Sequence, residues 1–497
     1  MTSIKLTGTS ISLSDVARVA KGQGEVLLCP NGLTRMEKSR ALVDHVIENS
    51  IPVYGVTTGL GARANEALDA ETLKKFSLQT LRGRAHSIGK NSSRENVRAA
   101  MIVRLNSMLS GYSGARPEVA LHFADCLNAN LTPVVGEIGS IGAGDLTLNA
   151  MLGLALVGEG EMISPVGDIC ASGDLMRDHG ITPLQLAPRD GLAIANNTSA
   201  VAGAAAITLT NARLALEAAQ TSAALSIEGF RANLGPFSEK ALEAKPLPGQ
   251  QKAAQGLRKI LEGSELFNNG QARRLQDPLS IRNIAQIHGT MFAAMEMAET
   301  TALCEVNGAS DNPVALIETN EIISCGGYFT SELTNAIECV SRAFVHLSMA
   351  QIARISKLLN PVFSDLPAFL AKPESGSNGF APIMKPAEAV LAELLHAAQP
   401  VSIWPSLNAN GVEDCLSSAP AAVRALENVV SLSANLTAIE FIVAAQAIEL
   451  RACQSSMGAH LSNSLSQIRN LSMPLVEDRP LSSDIRLLSD AIMQGKF

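Results

Sequence analysis

At 497 residues the chain is long enough to bury a large core, and its 46% hydrophobic share is carried mostly by Ala and Leu, with aromatics at only 3%. Such a composition favours closely packed helices, because alanine has the best helix propensity and lets helix axes approach. A formal net charge of −8, with no basic run or basic-aromatic stripe, gives nucleic acid no footing and leaves a small-molecule ligand as the expected partner.

No apolar run is read as reaching the roughly 18 residues of a spanning helix, and the opening Met1-Thr2-Ser3-Ile4-Lys5 lacks the apolar core of a signal peptide. A cytoplasmic protein without membrane contact is therefore expected. Cys29, Cys126, Cys170, Cys304, Cys325, Cys339, Cys415 and Cys453 form no CxxC pair and no Cys/His ligand spacing. They predict no metal and read as buried thiols in a reducing compartment.

In chain order, residues 36–49 show helical spacing. Ile51-Pro52-Val53-Tyr54 then opens Gly55-Val56-Thr57-Thr58-Gly59-Leu60-Gly61, where three glycines in seven residues predict a mobile loop. Helical patterns resume over about 70–88 and 95–110. The glycine-rich 136–144 leads into an apolar helix that begins with Asp145, a carboxylate favoured at a helix start by capping and by the dipole. Residues 160–190, with Pro165, Gly167, Gly173 and Gly180, predict a turn-rich excursion. Long Ala/Leu-rich helices are predicted over 196–230, 280–304, 331–358 and 416–455. The fold class expected is all-α: a long-helix bundle over 191–497 with a loop-bearing N-terminal lobe over about 1–190, forming one unit without repeat or linker. Chemistry is expected on its loops.

The loops carry a recognisable order of motifs. Tyr54-Gly55-Val56-Thr57-Thr58-Gly59-Leu60-Gly61, Gly139-Ser140-Ile141-Gly142 before Asp145-Leu146, and Asn196-Asn197-Thr198 come first. Gln276-Asp277-Pro278-Leu279-Ser280-Ile281-Arg282, Asp311-Asn312-Pro313, Gly326-Gly327-Tyr328-Phe329 and Asn410-Gly411-Val412-Glu413-Asp414 follow. Over nearly its whole length the chain thus resembles the histidine/phenylalanine ammonia-lyase family. In that family an Ala-Ser-Gly tripeptide cyclises to methylidene-imidazolone, an electrophile whose exocyclic carbon comes from the serine. Here the corresponding stretch reads Gly142-Ala143-Gly144-Asp145, and the serine is missing. Ala171-Ser172-Gly173 spells the tripeptide further along, in the wrong context, and reads as coincidence in a turn. No cofactor is therefore expected.

Without an electrophile, an elimination needs a base for the carbon-bound proton and a leaving group that departs unaided, as a quaternary ammonium does when it leaves as neutral trimethylamine. The resemblance implies Tyr54 as base, although a phenol needs nearby cations or helix N-termini to serve near neutrality. It implies Arg282 as a fork on the substrate carboxylate, where the plainer alternative is a surface ion pair. Asn196 reads as a further hydrogen-bond donor or as a helix cap. His86, in Leu78-Gln79-Thr80-Leu81-Arg82-Gly83-Arg84-Ala85-His86, stands where histidine-specific members of the family have a histidine, and is expected to bond a substrate imidazole. Lys385 is expected to meet a ring substituent or to assist Tyr54, with a solvated helix start as the alternative. Glu413 is expected to face the cationic nitrogen, and with Trp404 and Tyr328 or Phe329 to form a cation-binding wall. Leu279 stands in the place of the family's second active-site tyrosine.

Together these residues resemble most the ergothionase branch of the family, which dispenses with the prosthetic group, and imply elimination of trimethylamine from ergothioneine to give thiourocanate. A lyase for another imidazole betaine, such as histidine betaine, is the second reading, and a degenerate lyase kept as a binding scaffold the third. The resemblance also implies a homotetramer with active sites shared between subunits.

Overall fold

The computed structural model describes residues 2–372, 376–402 and 408–497. It is mostly helical, with nine short strands among the described residues. The chain divides into two compact units: residues 1–210, 299–335 and 400–423 form the first, and 211–298, 336–399 and 424–497 the second. This partition differs from a sequential division at about residue 190. Most of the boundaries fall inside helices, among them Ser199–Phe230, Ile284–Asn307, Ser331–Leu359 and Ala419–Leu450, so no break in composition marks them.

The first unit is built around helix Arg94–Leu109, in which every residue from Val97 to Leu109 is buried. A helix buried on every side sits in the middle of a core, and the two arginines inside it are met by specific acceptors. Arg98 donates to the carbonyls of Val19 and Ala20 and to that of Leu127, in the last turns of helices Leu13–Ala20 and Pro117–Asn128, where the helix ladder leaves acceptor capacity. Arg104 forks onto both oxygens of Asp311 at 3.0 and 2.8 Å, a fully buried pair.

The same unit holds four small sheets. Thr2–Leu6 pairs in parallel with Gly24–Leu28, and Ile88–Asn91 runs antiparallel to Gly136–Ile138. The excursion over 160–190 is an antiparallel hairpin of Glu161–Ile163 and Ile169–Ala171, joined on its other edge by Thr132–Pro133, and then a short helix Ser172–Asp178. Ser172 is buried there, its hydroxyl accepting from the Gly160 amide at 3.1 Å. The Ala-Ser-Gly of 171–173 is thus the joint between a strand and a helix. A hairpin of Val314–Leu316 and Glu321–Ile323 completes the unit's sheets.

The second unit packs Ala, Leu and Ile from its portions of the long helices against Ala459–Leu471 and Ser482–Met493. Its buried polar centre is the Arg354–Glu440 pair, bidentate at 2.6 and 2.9 Å, with Ser222, Ser226 and Gln351 completing the carboxylate's acceptor set.

Two expectations from the sequence need correction. Asp190–Phe230 and Ala419–Leu450 do carry stretches apolar and long enough to span a membrane, and 89% and 78% of those stretches are buried within the fold, as core helices are. Among the cysteines only Cys126 and Cys453 are buried, while Cys304 and Cys415 are exposed; all eight are free thiols.

Candidate active site

The glycine-rich segment after Tyr54 is a braced turn. The amides of Val56, Thr57 and Thr58 converge on the Val53 carbonyl, and the Thr57 hydroxyl donates to the Ile51 carbonyl while accepting from the Val53 amide. Gly59 and Leu68 close the segment onto Glu66 and Thr57. This frame projects Tyr54 so that its hydroxyl oxygen accepts from the Gly61 amide at 3.2 Å. The turn Gly61–Arg63 packs against Ala409–Gly411, which brings in Glu413, itself set by reciprocal backbone bonds with Asn408 at 2.9 and 3.2 Å.

Between these loops lies a cavity of about 490 Å³ in the first unit. Tyr54, Arg84, Asn196, Tyr328, Phe329 and Glu413 line it, so two of the chain's three tyrosines meet there. Its floor is the loop 139–145. The Gly144 amide donates to the Tyr328 carbonyl at 3.0 Å, and Ala143 forms an antiparallel bridge with Phe329. The Gly142 carbonyl accepts from the hydroxyls of Ser417 at 2.8 Å and Thr330 at 3.3 Å.

Asp145 occupies the first position before helix Leu146–Leu156, as expected, but its side chain does not cap that helix. The carboxylate instead accepts from the Ser140 hydroxyl at 2.7 Å and from the Val201 amide at 2.8 Å, and so caps Ser199–Phe230. Complete burial pushes its pKa up to about 6 against these bonds. Burial likewise pushes Glu305 up to about 7; Thr198 opposes the rise with a hydrogen bond, and the Asp145 and Glu332 charges add to it.

Asn196 ends helix Asp190–Ala195 and caps no helix start. Its side-chain amide donates to the Asn312 carbonyl at 3.0 Å, leaving it beside the cavity and under Gly144. Tyr328 has its pKa raised by burial first and then by the charges of Tyr54, Cys325 and Glu413. Arg84, just past helix Ala70–Arg82, is pulled down by burial, with the charges of Tyr54 and Glu413 acting the other way.

Of the residues singled out in sequence, the cavity gathers Tyr54, Asn196, Tyr328, Phe329 and Glu413. His86 is exposed, and its neighbour Arg84 lines the enclosure instead. Arg282 and Lys385 belong to the second unit: Arg282 lines a pocket of about 320 Å³ with Asn233, Gln276 and Asp277, and Lys385 is exposed on helix Met384–Ala397. Trp404 lies outside the described residues. Arg84 and the Ser417–Thr330 pair were given no role in sequence, and Asn312 was read only as part of the Asp311-Asn312-Pro313 motif. Arg84 stood two places from His86 in a segment already under scrutiny, whereas the serines at 417 and 418 form no motif and leave no signal.

The residues present do not fit a methylidene-imidazolone. That group needs a serine-derived carbon, and between Ala143 and Asp145 there is only Gly144. Gly144 has φ +70, and a Cβ on it would meet Asn196 Oδ1 at 2.8 Å. Among the described residues no group of three His, Cys, Asp or Glu side chains is arranged to hold a metal ion.

Comparisons with known proteins place this geometry. The profile of the family described as "Aromatic amino acid lyase" matches residues 11–470. The histidine ammonia-lyase of Myxococcus xanthus is 32% identical over 497 residues, covering 99% of this chain and 97% of its own. Among solved structures, ergothionase from Treponema denticola in complex with desmethyl-ergothioneine sulfonic acid superposes with a TM-score of 0.94 at 29% identity, covering 99% of both chains. Histidine ammonia-lyase from Trypanosoma cruzi gives 0.92 at 26% identity, covering 99% of this chain and 94% of its own. With a cavity framed by its tyrosine, asparagine and glutamate loops and a family match across 460 residues, the chain belongs to the aromatic amino acid lyase family.

Proposed function

We propose that this lyase eliminates trimethylamine from ergothioneine to give thiourocanate, without a methylidene-imidazolone group. The observation that carries the reading is the coincidence of a retained cavity, with Tyr54, Tyr328 and Glu413 on its wall, and a floor whose Gly142-Ala143-Gly144-Asp145 lacks the serine between alanine and glycine from which an electrophile would be built. Similarity to the Treponema denticola ergothionase supports it.

In this mechanism the Tyr54 oxygen, held by the Gly61 amide, takes the proton from the carbon beside the ring. The electrons of that C–H bond form the new double bond, the bond to nitrogen breaks, and its pair leaves with neutral trimethylamine. Glu413 lies opposite the cationic nitrogen, and the rings of Tyr328 and Phe329 supply faces a quaternary ammonium favours. Such a leaving group has no proton to lose and needs no capture by an electrophile.

The carboxylate clamp is assigned to Arg282 and a further ring contact to Lys385 and His86, all three supplied in a homotetramer whose sites draw on more than one subunit. A cytoplasmic location, in keeping with eight free thiols, is part of the same proposal. Histidine betaine is the alternative substrate.

The test is incubation of purified protein with ergothioneine, histidine betaine and histidine in turn, assaying trimethylamine, ammonia and the conjugated acrylate. Trimethylamine with an equimolar acrylate is expected from ergothioneine. Rapid ammonia release from histidine, or an intact mass lacking two waters, would overturn the mechanism; no turnover of any of the three would leave a binding scaffold.

A further inference from the structure

Arg84 is the one cation lining the cavity among the described residues, and its guanidinium is nearly uncommitted. Among the described residues its side chain makes a single long hydrogen bond, to the Thr80 carbonyl at 3.4 Å, and no ion pair. Several other buried or half-buried arginines of this unit are anchored: Arg98 on helix-end carbonyls, Arg104 on Asp311, Arg116 on Asp190, and Arg189 on the carbonyls of Ser113 and Pro313. A half-buried guanidinium with most of its five donors unassigned is built for an acceptor that arrives from outside.

The substrate's groups can be matched to the cavity by charge. Glu413 and Asp414 are its anions and suit the quaternary nitrogen. In the reading proposed above, on which this step rests, the carboxylate belongs to Arg282. Of the described cationic side chains, Arg84 is the one that this chain itself places on the cavity wall, so beside the ring contacts given to Lys385 and His86 it is left the ring's substituent, and an unsubstituted imidazole offers it only a neutral nitrogen. A 2-thioimidazole presents an exocyclic sulfur rich in negative charge, to which a guanidinium donates well. We infer that Arg84 engages the ring sulfur of the substrate and makes this lyase selective for thioimidazole betaines over their sulfur-free counterparts.

The experiment measures kcat/KM for trimethylamine release from ergothioneine and from histidine betaine with the wild-type protein, Arg84→Gln and Arg84→Lys, after circular dichroism and sizing have shown the same fold and assembly. One lost charge-assisted hydrogen bond corresponds to about 10- to 100-fold. Arg84→Gln is expected to lose that much on ergothioneine and little on histidine betaine, and Arg84→Lys to recover part of it. Equal losses on both substrates, or none on either, would refute the assignment.

The two proposals fail separately. If the wild-type protein turns over neither betaine, the reaction falls, and calorimetric binding of ergothioneine and histidine betaine to the wild-type and Arg84→Gln proteins decides the sulfur contact alone. Weaker binding of the sulfur-bearing ligand only, in the variant only, supports it; unchanged or equally weakened binding sinks it.

Discussion

The Ser417 hydroxyl donates to the Gly142 carbonyl at 2.8 Å and stands where a side chain on Gly142 would have to go, since a Cβ there would lie 2.0 Å from that oxygen. Gly142 also has φ +81, a conformation unfavourable for any residue with a Cβ. Gly142→Ala is therefore expected to destabilise the protein by about 2 kcal/mol or more, read as a lower urea midpoint. Part of the loss should return in the Gly142→Ala/Ser417→Ala double variant, which removes the hydroxyl. Complete independence of the two substitutions would show that the loop yields elsewhere.

Tyr54→Phe keeps the ring and removes the proton acceptor. It is expected to lower kcat on ergothioneine by about 10²- to 10⁴-fold, the range for a positioned acid–base group, with unchanged circular dichroism. Full activity in this variant would transfer the role of base to Lys385.

For Glu413→Gln the expected defect is in substrate capture. A half-buried carboxylate opposite a permanent cation contributes binding in both ground and transition states, so KM should rise by about 10-fold or more while kcat changes less. A pure kcat defect would instead mark Glu413 as a proton-transfer group.

The proposed sharing of sites between subunits predicts complementation. Tyr54→Phe and Arg282→Ala are each expected to be nearly inactive alone. Unfolding, mixing and refolding them together should restore about a quarter of wild-type activity, the chance that one site draws both intact residues from different chains. Absence of any recovery in correctly assembled mixtures would put Arg282 outside the site.

The buried acids give a pH signature. Folding raises the Asp145 carboxyl from an ordinary 3.8 to about 6 and the Glu305 carboxyl from 4.5 to about 7. Both groups hold their protons longer when folded than when unfolded. The stability they contribute is thus complete below about pH 4 and is lost as pH climbs through 6 to 7, on the order of 3 kcal/mol for Asp145. Because the two charges interact, they should titrate as a pair. Relative to wild type, Asp145→Asn is expected to gain stability between pH 4.5 and 7.5, measured by urea unfolding at each pH. Parallel curves would mean that Asp145 is not burdened by its burial.

The motifs that could be read in sequence were those whose backbone demands leave a composition trace. Tyr54 sits before a glycine-rich turn and Glu413 after Asn410 and Gly411, which both have positive φ, so these loops announced themselves. Helices of 16 residues or more were legible for the same reason of length: periodicity accumulates. Strands of three residues, such as Glu161–Ile163, are too short to show alternation. Arg84 was passed over because the side chain that enters the cavity depends on how the chain leaves helix Ala70–Arg82, which spacing alone does not fix. Asp145 occupied the position expected, yet its partner lies 56 residues on at Val201, a long-range choice invisible to local capping rules.

The bridge between Ala143 and Phe329, with the Gly144 amide on the Tyr328 carbonyl, makes the floor and the aromatic wall of the cavity one piece of main chain. A bulkier or smaller guest cannot be accommodated by sliding one past the other without breaking backbone bonds. Retuning this lyase toward a different substrate is accordingly a matter of exchanging the rings at 328 and 329 in place, and libraries that lengthen or shorten either segment of that bridge should return mostly unfolded protein.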